Sequence, residues 1–340
     1  MRSVKHENFL LMESTPSMTN WTPVSMLKRP GMHLLSSMQA VAHGSNSVQY
    51  FQFRKSRGSC EKFHGAVVDH VGNSGPYDFV RTENTRVFKD VQQVGAALRE
   101  MNARGDVYGT AVKPQVAIVY DVENRWALDA AAGPRNKDKD EKYVETLLKH
   151  YRPFWDAGVQ VDIVDMDGDI SGYKLVVAPM LYMYRAGFEQ KMRAFVENGG
   201  TLVTTYWSGI VDESDLCRLG GVPGGMMDVF GVWNEEIDSL PDGVKNSVAV
   251  NGRSYDAFEL CARIHPITAE VLGTYEKDFY AGEPAVTKNR FGSGAAYYIA
   301  ARTGTDLLVD LYGGLISALG IARAIDTTLP AGVTAHERIG

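Results

Sequence analysis

Cysteine is scarce in this sequence, with Cys60, Cys217 and Cys261 as its three examples among 340 residues. They lie far apart and show neither C-x-x-C nor Cys/His ligand spacing. The sequence therefore predicts no disulfide framework and no zinc site, and this usage of cysteine is typical of a reducing compartment. We expect no metal and no cofactor.

Long apolar runs and basic clusters are also missing. Residues 1–7 are polar, and the apolar run at 9–12 is too short for the core of a signal peptide or for a membrane span. The formal net charge of -6, without a basic face, argues against a nucleic-acid partner. We expect a cytoplasmic protein that binds neither membranes nor nucleic acid.

The first third of the chain alternates between strand and helix patterns. We predict strands at 9–12 and 47–54, a helix at 32–43 closed by Gly44, and a helix at 83–101 with Thr82 as its N-cap. Such alternation predicts an α/β fold with a parallel sheet or barrel. A (β/α)8 barrel needs eight units and roughly 250 residues. Residues 1–112 therefore read as its last two β/α units, the end of a partial barrel.

Residues 113–325 predict a second α/β domain, and its pattern favours a doubly wound sheet. The predicted strands are 115–120, 161–164, 175–178 and 201–205, with helices at 141–157 and 187–198, a β-hairpin at 285–301 and a last helix at 305–319. Residues 329–334 read as the start of one more strand. We therefore assign 326–340 to the start of a truncated β-domain. Length alone predicts about two domains.

Glu13 is the residue around which the first segment is organised. It ends a strand that reads as buried, and barrel enzymes carry their chemistry at the carboxyl ends of strands. The structural alternative is a glutamate that bonds the backbone or caps the next helix.

Further polar and aromatic residues fall at the same strand ends. Trp21 follows in the next loop, Phe51 lies within the second strand, and Glu61 and His64 lie in the loop after it. Sugars are bound by such a mixture of aromatic faces and hydroxyl-binding groups, and a carboxylate beneath the anomeric carbon can act as nucleophile. Alternatively, Trp21 packs locally, Glu61 is a solvated loop charge, and His64 is a structural histidine.

These motifs resemble glycoside hydrolase family 42 β-galactosidases over nearly the whole chain. The residues that carry the resemblance are 12–17 (MESTPS), 21–23 (WTP), 28–31 (KRPG), 50–54 (YFQFR) and 61–66 (EKFHGA). The resemblance implies a TIM barrel in which Glu13 is the nucleophile of a retaining enzyme. It also implies that Trp21, Phe51, Glu61 and His64 line the galactose subsite.

The resemblance further implies that residues 113–325 form a trimerisation domain similar to glutamine amidotransferases, in a homotrimer that acts on β-galactosides. The family's acid/base glutamate and its cysteine zinc cluster match no segment here. The resemblance therefore implies a carboxy-terminal fragment of a longer enzyme, and the alternative function is an inert oligomerisation module.

An amidotransferase-like domain could instead use a cysteine nucleophile on a strand-to-helix turn. The candidate turns at 177–181 and 204–208 contain no cysteine, so we interpret this domain as non-catalytic. Its aromatic residues Tyr182, Tyr184, Tyr206 and Trp207 are expected either on an exposed surface between subunits or in an ordinary core.

Overall fold

The structure, a computed structural model, describes residues 2–70, 82–105 and 107–340, without the side chains of Lys139 and Asp140. It divides into two compact units, Met1–Lys113 with His336–Gly340, and Pro114–Ala335. The division falls next to the predicted boundary at 112/113. Residues 326–340 do not form a third unit, and residues 329–334 form no strand.

The first unit contains the two predicted strand-helix pairs. Its elements are α1 (Arg2–Lys5), β1 (Phe9–Ser14), α2 (Met32–Ala42), β2 (Ser45–Tyr50) and α3 (Arg86–Arg104), with a 3-10 turn at Thr82–Asn84. The two strands pair in parallel. The predicted N-cap of α3 was wrong: the cap is Thr85, whose hydroxyl accepts a hydrogen bond from Phe88 N at 3.4 Å.

The prediction that β1 is buried was also wrong. Leu10 and Met12 are 51% and 66% exposed. The helix α2 packs against β2. The described part of this unit does not cover both faces of its two-stranded sheet. The apolar strand β1 therefore has one face exposed.

A β-bulge interrupts β1 just before its end. Leu11 pairs with Val48 and Ser14 with Tyr50, so Met12 and Glu13 together stand opposite the single residue Gln49. Strand side chains normally alternate between faces, yet Met12 and Glu13 are both exposed. Bulges re-aim side chains and are frequent next to active sites.

The second unit is built on one eleven-stranded sheet. Its strands are β3 (Val116–Val119), β4 (Val161–Val164), β5 (Leu175–Ala178), β6 (Thr201–Thr205), β7 (Val232–Ser239), β8 (Lys245–Val250), β9 (Arg253–Pro266), β10 (Glu270–Tyr275), β11 (Pro284–Phe291), β12 (Gly294–Ile299) and β13 (Ala301–Thr303). Its helices are α4 (Val122–Ala130), α5 (Tyr143–Asp156), α6 (Phe188–Glu197), α7 (Met227–Phe230) and α8 (Thr305–Ala318). The strand order is β13-β9-β8-β10-β11-β12-β6-β5-β3-β4, with β7 paired to β9.

The parallel half, β12-β6-β5-β3-β4, agrees with the predicted pattern. Along β3, Ala117 and Val119 enter one apolar core, while Val116 and Ile118 enter another. The first core includes residues of α4 and α6, and the second includes residues of α5 and α8. Helices therefore cover both faces of this half, as a doubly wound sheet requires. The predicted hairpin is β11–β12.

Of the two alternatives for the aromatic residues after β5 and β6, the structure favours the ordinary core. Tyr182, Tyr184 and Tyr206 are buried, and Trp207 is half-buried and stacks on Tyr182 at 5.9 Å between ring centroids. They belong to or pack against the core that includes α4 and α6.

Over the described ranges, no helix combines the length and apolarity needed to cross a membrane.

Candidate active site

Glu13 stands exposed at the carboxyl end of β1. The next residue, Ser14, accepts a hydrogen bond through its carbonyl from Phe51 N at 3.0 Å, which holds the ends of β1 and β2 side by side. The helix α2 begins after Gly31 without a side-chain cap, so Glu13 does not cap it. The structural alternative for Glu13 therefore loses its main support.

The loop after Glu13 is anchored by two side chains from the second half of that loop and from α2. Lys28 Nζ donates to the carbonyl of Thr15, and His33 Nε2 donates to the carbonyl of Pro16. Burial lowers the pKa of both Lys28 and His33. These bonds fix the backbone directly after Glu13, so the Lys-Arg-Pro-Gly motif has a structural function here.

His64 is buried, with 1% of its surface exposed, and both of its ring nitrogens have partners. Nδ1 lies 2.9 Å from Asn20 Oδ1, and Nε2 lies 3.5 Å from Thr15 Oγ1. The ring also meets the edge of Phe51 at 5.4 Å between centroids. His64 is thus a buried histidine with a polar neighbour at each ring nitrogen, as the structural alternative expected, and it ties the loops that follow β1 and β2 together.

The two aromatic candidates keep open faces. Trp21 is 72% exposed, so local packing does not account for it, and Phe51 is 40% exposed. Phe51 is the first residue after β2, which corrects the prediction that it lies within the strand. Exposed aromatic faces beside a strand end suit the apolar face of a ring-shaped ligand.

Glu61 is half-buried, and its backbone N–H donates to Ser59 Oγ at 3.3 Å. The structure thus joins Phe51 and His64 directly, Trp21 through its neighbour Asn20, and Glu13 through the paired strand ends. Sequence reasoning missed Asn20, although a polar amide directly before Trp21 was a visible signal. In the described ranges, no group of three His, Cys, Asp or Glu residues could hold a metal ion.

In the second unit, the turns after β5 and β6 contain no cysteine. At the turn after β5, Met180 is fully buried and has a φ of 47°, a conformation that non-glycine residues rarely adopt. A thioether cannot act as the nucleophile of an amidotransferase. Burial raises the pKa of Cys261 to about 12, which keeps this thiol protonated at neutral pH. These observations favour the non-catalytic interpretation.

A buried arginine lies at this end of the parallel sheet. Arg302 donates to Tyr206 Oη at 2.8 Å, to Glu259 Oε2 at 2.7 Å and to the carbonyl of Glu141 at 2.6 Å. Burial alone would raise the pKa of Glu259, but its bonds to Lys142 and Arg302 outweigh that effect and lower the pKa to about 2. The cluster therefore stays charged at neutral pH.

We expect Arg302→Ala to destabilise the second unit by about 1–3 kcal/mol, because it leaves the buried Tyr206 hydroxyl and the Glu141 carbonyl without their donor. Glu259 keeps its ion pair with Lys142. Tryptophan fluorescence during urea denaturation measures this, since four of the five tryptophans lie in the second unit. The control is Arg253→Ala, which removes an exposed ion pair with Asp310 and should cost at most about 1 kcal/mol. Equal effects of the two variants would contradict a structural role for the Arg302 cluster.

Comparison with known proteins places both units. A family model described as "Beta-galactosidase trimerisation domain" matches residues 114–322, and one described as "Beta-galactosidase" matches residues 1–101. The β-galactosidase Pbg of Clostridium perfringens is 55% identical over 338 residues, which cover 97% of this chain and 47% of that protein. The β-galactosidase BglY of Alicyclobacillus acidocaldarius is 51% identical, over 100% of this chain and 48% of its own length.

Solved structures give the same result. The crystal structure of a β-galactosidase from Rahnella sp. R3 superposes with a TM-score of 0.92 at 51% identity, covering 100% of this chain and 49% of that one. The chain thus spans about half the length of the relatives that it matches.

Proposed function

This chain belongs to the glycoside hydrolase family 42 β-galactosidases, and from that membership we propose that it is the carboxy-terminal part of a retaining β-galactosidase with Glu13 as nucleophile. The observation that carries the proposal is the exposed carboxylate of Glu13, turned out by a bulge at a strand end beside the group formed by Phe51 and His64. The substrate would be a terminal β-D-galactosyl residue.

In the proposed reaction, a Glu13 carboxylate oxygen bonds to the anomeric carbon of galactose. The bond from that carbon to the leaving-group oxygen breaks, and a carboxylic acid elsewhere protonates that oxygen. Water deprotonated by the same second carboxyl group then displaces Glu13 and releases galactose. A retaining enzyme needs its two carboxyl groups about 5–5.5 Å apart. We propose that the second group belongs to the half of the relatives that this chain does not span.

The open face of β1 supports a partial barrel. Leu10 and Met12 are apolar and exposed in the described structure, whereas the inward positions of a complete (β/α)8 barrel are filled by apolar side chains from several strands. We propose that residues 1–112 are the last two β/α units of such a barrel, and that the remaining strands cover this face.

We assign sugar binding to Trp21, Phe51, Glu61 and His64. The exposed rings of Trp21 and Phe51 would contact the apolar face of galactose, and the polar groups of Glu61 and His64 would bond its hydroxyls. This assignment rests on the open aromatic faces and on the contact between Phe51 and His64.

We further propose that residues 113–325 assemble a homotrimer, since the matching model describes a trimerisation domain. A cytoplasmic location rests on the three unpaired cysteines. The reaction as proposed needs no cofactor.

The test uses an extended protein, defined as this chain joined to the remaining segments of a full-length family member. It should hydrolyse an aryl β-galactoside, and proton NMR should show β-galactose as the first anomer released, because two successive displacements retain configuration. An α-anomer formed first would overturn the assignment of Glu13 as nucleophile.

One observation favours a second candidate function, an inert oligomerisation module. The family resemblance assigns one carboxylate of this chain to catalysis, that of Glu13. A retaining mechanism needs two carboxyl groups. The two candidates are separated by the activity of the 340-residue chain itself.

A further inference from the structure

The contacts around His64 carry information about where its ring proton lies. Asn20 Nδ2 donates to the carbonyl of Cys60 at 3.2 Å. A carbonyl oxygen can only accept, so this bond orients the Asn20 amide and leaves Oδ1 as the atom that faces His64.

Asn20 Oδ1 lies 2.9 Å from His64 Nδ1. An amide oxygen is also only an acceptor, so Nδ1 must carry the proton. A neutral imidazole has one N–H donor and one acceptor nitrogen. We infer that Asn20 is a positioning residue that holds His64 in the tautomer protonated at Nδ1, which leaves Nε2 as a hydrogen-bond acceptor facing Thr15.

The partner at Nε2 fits this tautomer. Thr15 Oγ1 lies 3.5 Å away, and a hydroxyl can rotate to donate its proton to the ring nitrogen. That distance is long for an O–H donor, whose usual separation is about 2.7–2.8 Å. The acceptor at Nε2 is therefore only weakly engaged, on the side of the loop that follows Glu13.

A second histidine of the same unit provides the opposite case. His33 Nε2 donates to the carbonyl of Pro16, so its proton lies on Nε2. Its Nδ1 is buried and has no hydrogen-bond partner in the described structure. Two buried histidines thus support the loops of one site in opposite tautomers. The Asn20 amide oxygen sets the tautomer of His64, and the Pro16 carbonyl sets that of His33.

The tautomer of His64 follows from the contacts alone, and only its consequence for sugar binding rests on the proposed function. With Nε2 as acceptor, the site would bind a sugar hydroxyl that donates, and it would not offer an N–H to a sugar oxygen. Asn20 also directly precedes Trp21, so the same amide fixes the backbone from which the exposed indole projects.

The experiment uses the 340-residue chain with ¹⁵N-labelled histidine and long-range ¹H–¹⁵N correlation spectra at neutral pH. His64→Gln and His33→Gln assign the two rings. We expect His64 to show the pattern of a ring protonated at Nδ1, and His33 the pattern of a ring protonated at Nε2. A His64 ring protonated at Nε2 in the parent chain would overturn the inference.

Two variants then test Asn20. Asn20→Leu, close in size but without an amide, should abolish the single-tautomer pattern of His64 and leave that of His33 unchanged. Thr15→Val removes the partner at Nε2 and should leave Nδ1 protonated. An unchanged His64 pattern in Asn20→Leu would show that Asn20 does not set the tautomer. Because no turnover is measured, failure here is distinct from failure of the extended protein to hydrolyse galactosides.

Discussion

Glu13→Gln is expected to lower galactoside hydrolysis by the extended protein roughly 10⁴-fold or more, the scale on which hydrolases lose activity when a member of their catalytic group is removed. An amide has the shape of the carboxylate but cannot form the covalent glycosyl-enzyme. This loss corresponds to about 5 kcal/mol in the barrier. Initial rates with an aryl β-galactoside at saturating concentration measure it.

The matched control is Glu7→Gln, which changes an exposed carboxylate shortly before the same strand. Its rate should stay within about twofold of the parent, a difference of under about 0.5 kcal/mol in the barrier. Glu13→Ala supplies a second readout, since azide can enter the vacated space and attack the anomeric carbon in place of the carboxylate. A galactosyl azide of α configuration is expected. A Glu13→Gln protein that keeps the parental rate would remove Glu13 from the mechanism.

The parallel strands β3 and β5 of the second unit were predictable because they are continuous apolar runs, whereas β4 includes Asp162 and β6 includes three threonines. The predicted strands 161–164, 175–178 and 201–205 coincide with β4, β5 and β6. Strands buried on both faces read in this way, and short alternation is not needed to recognise them.

Apart from the hairpin strand β11, the antiparallel half was not predicted, for a physical reason. The long strand β9 mixes buried Leu260 and Ile264 with charged residues, and its stability comes from pairing with β7, β8 and β13 rather than from local preference. The helix α4 was missed because it is short. Its clearest local signal is Asp121, whose carboxylate caps Asn124 N at 3.0 Å. The secondary structure of such segments depends on contacts with distant parts of the chain.

Some features of the candidate site were likewise predictable from the sequence, and others were not. Glu13, Trp21, Phe51, Glu61 and His64 were found from residue type and position at strand ends, which the chain order alone reveals. The bulge at Glu13 depends on the register between β1 and β2. The Asn20–His64 bond joins residues 44 positions apart. Neither could be read before the loops were placed, because both depend on contacts between distant parts of the chain.

The 340-residue chain on its own is expected to show no Glu13-dependent hydrolysis of the same aryl β-galactoside. Missing general-acid help typically costs about 10²–10⁴ in rate, or roughly 3–5 kcal/mol of barrier. In the proposed function, the barrel strands that would cover the exposed Leu10 and Met12 would also complete the sugar site. Orientation of the substrate is therefore lost together with the proton donor.

The purified chain and its Glu13→Gln variant are assayed side by side at equal concentration, and both should remain at the rate of the buffer. The extended protein at the same concentration serves as the active reference. Turnover that is present in the chain and absent in the variant would show that Glu13 works without the remaining barrel strands. That result would reject the inert module and require a second carboxyl group among residues 1–340. Equal turnover above the buffer rate by both preparations would show hydrolysis that does not depend on Glu13, and it would also contradict the inert module.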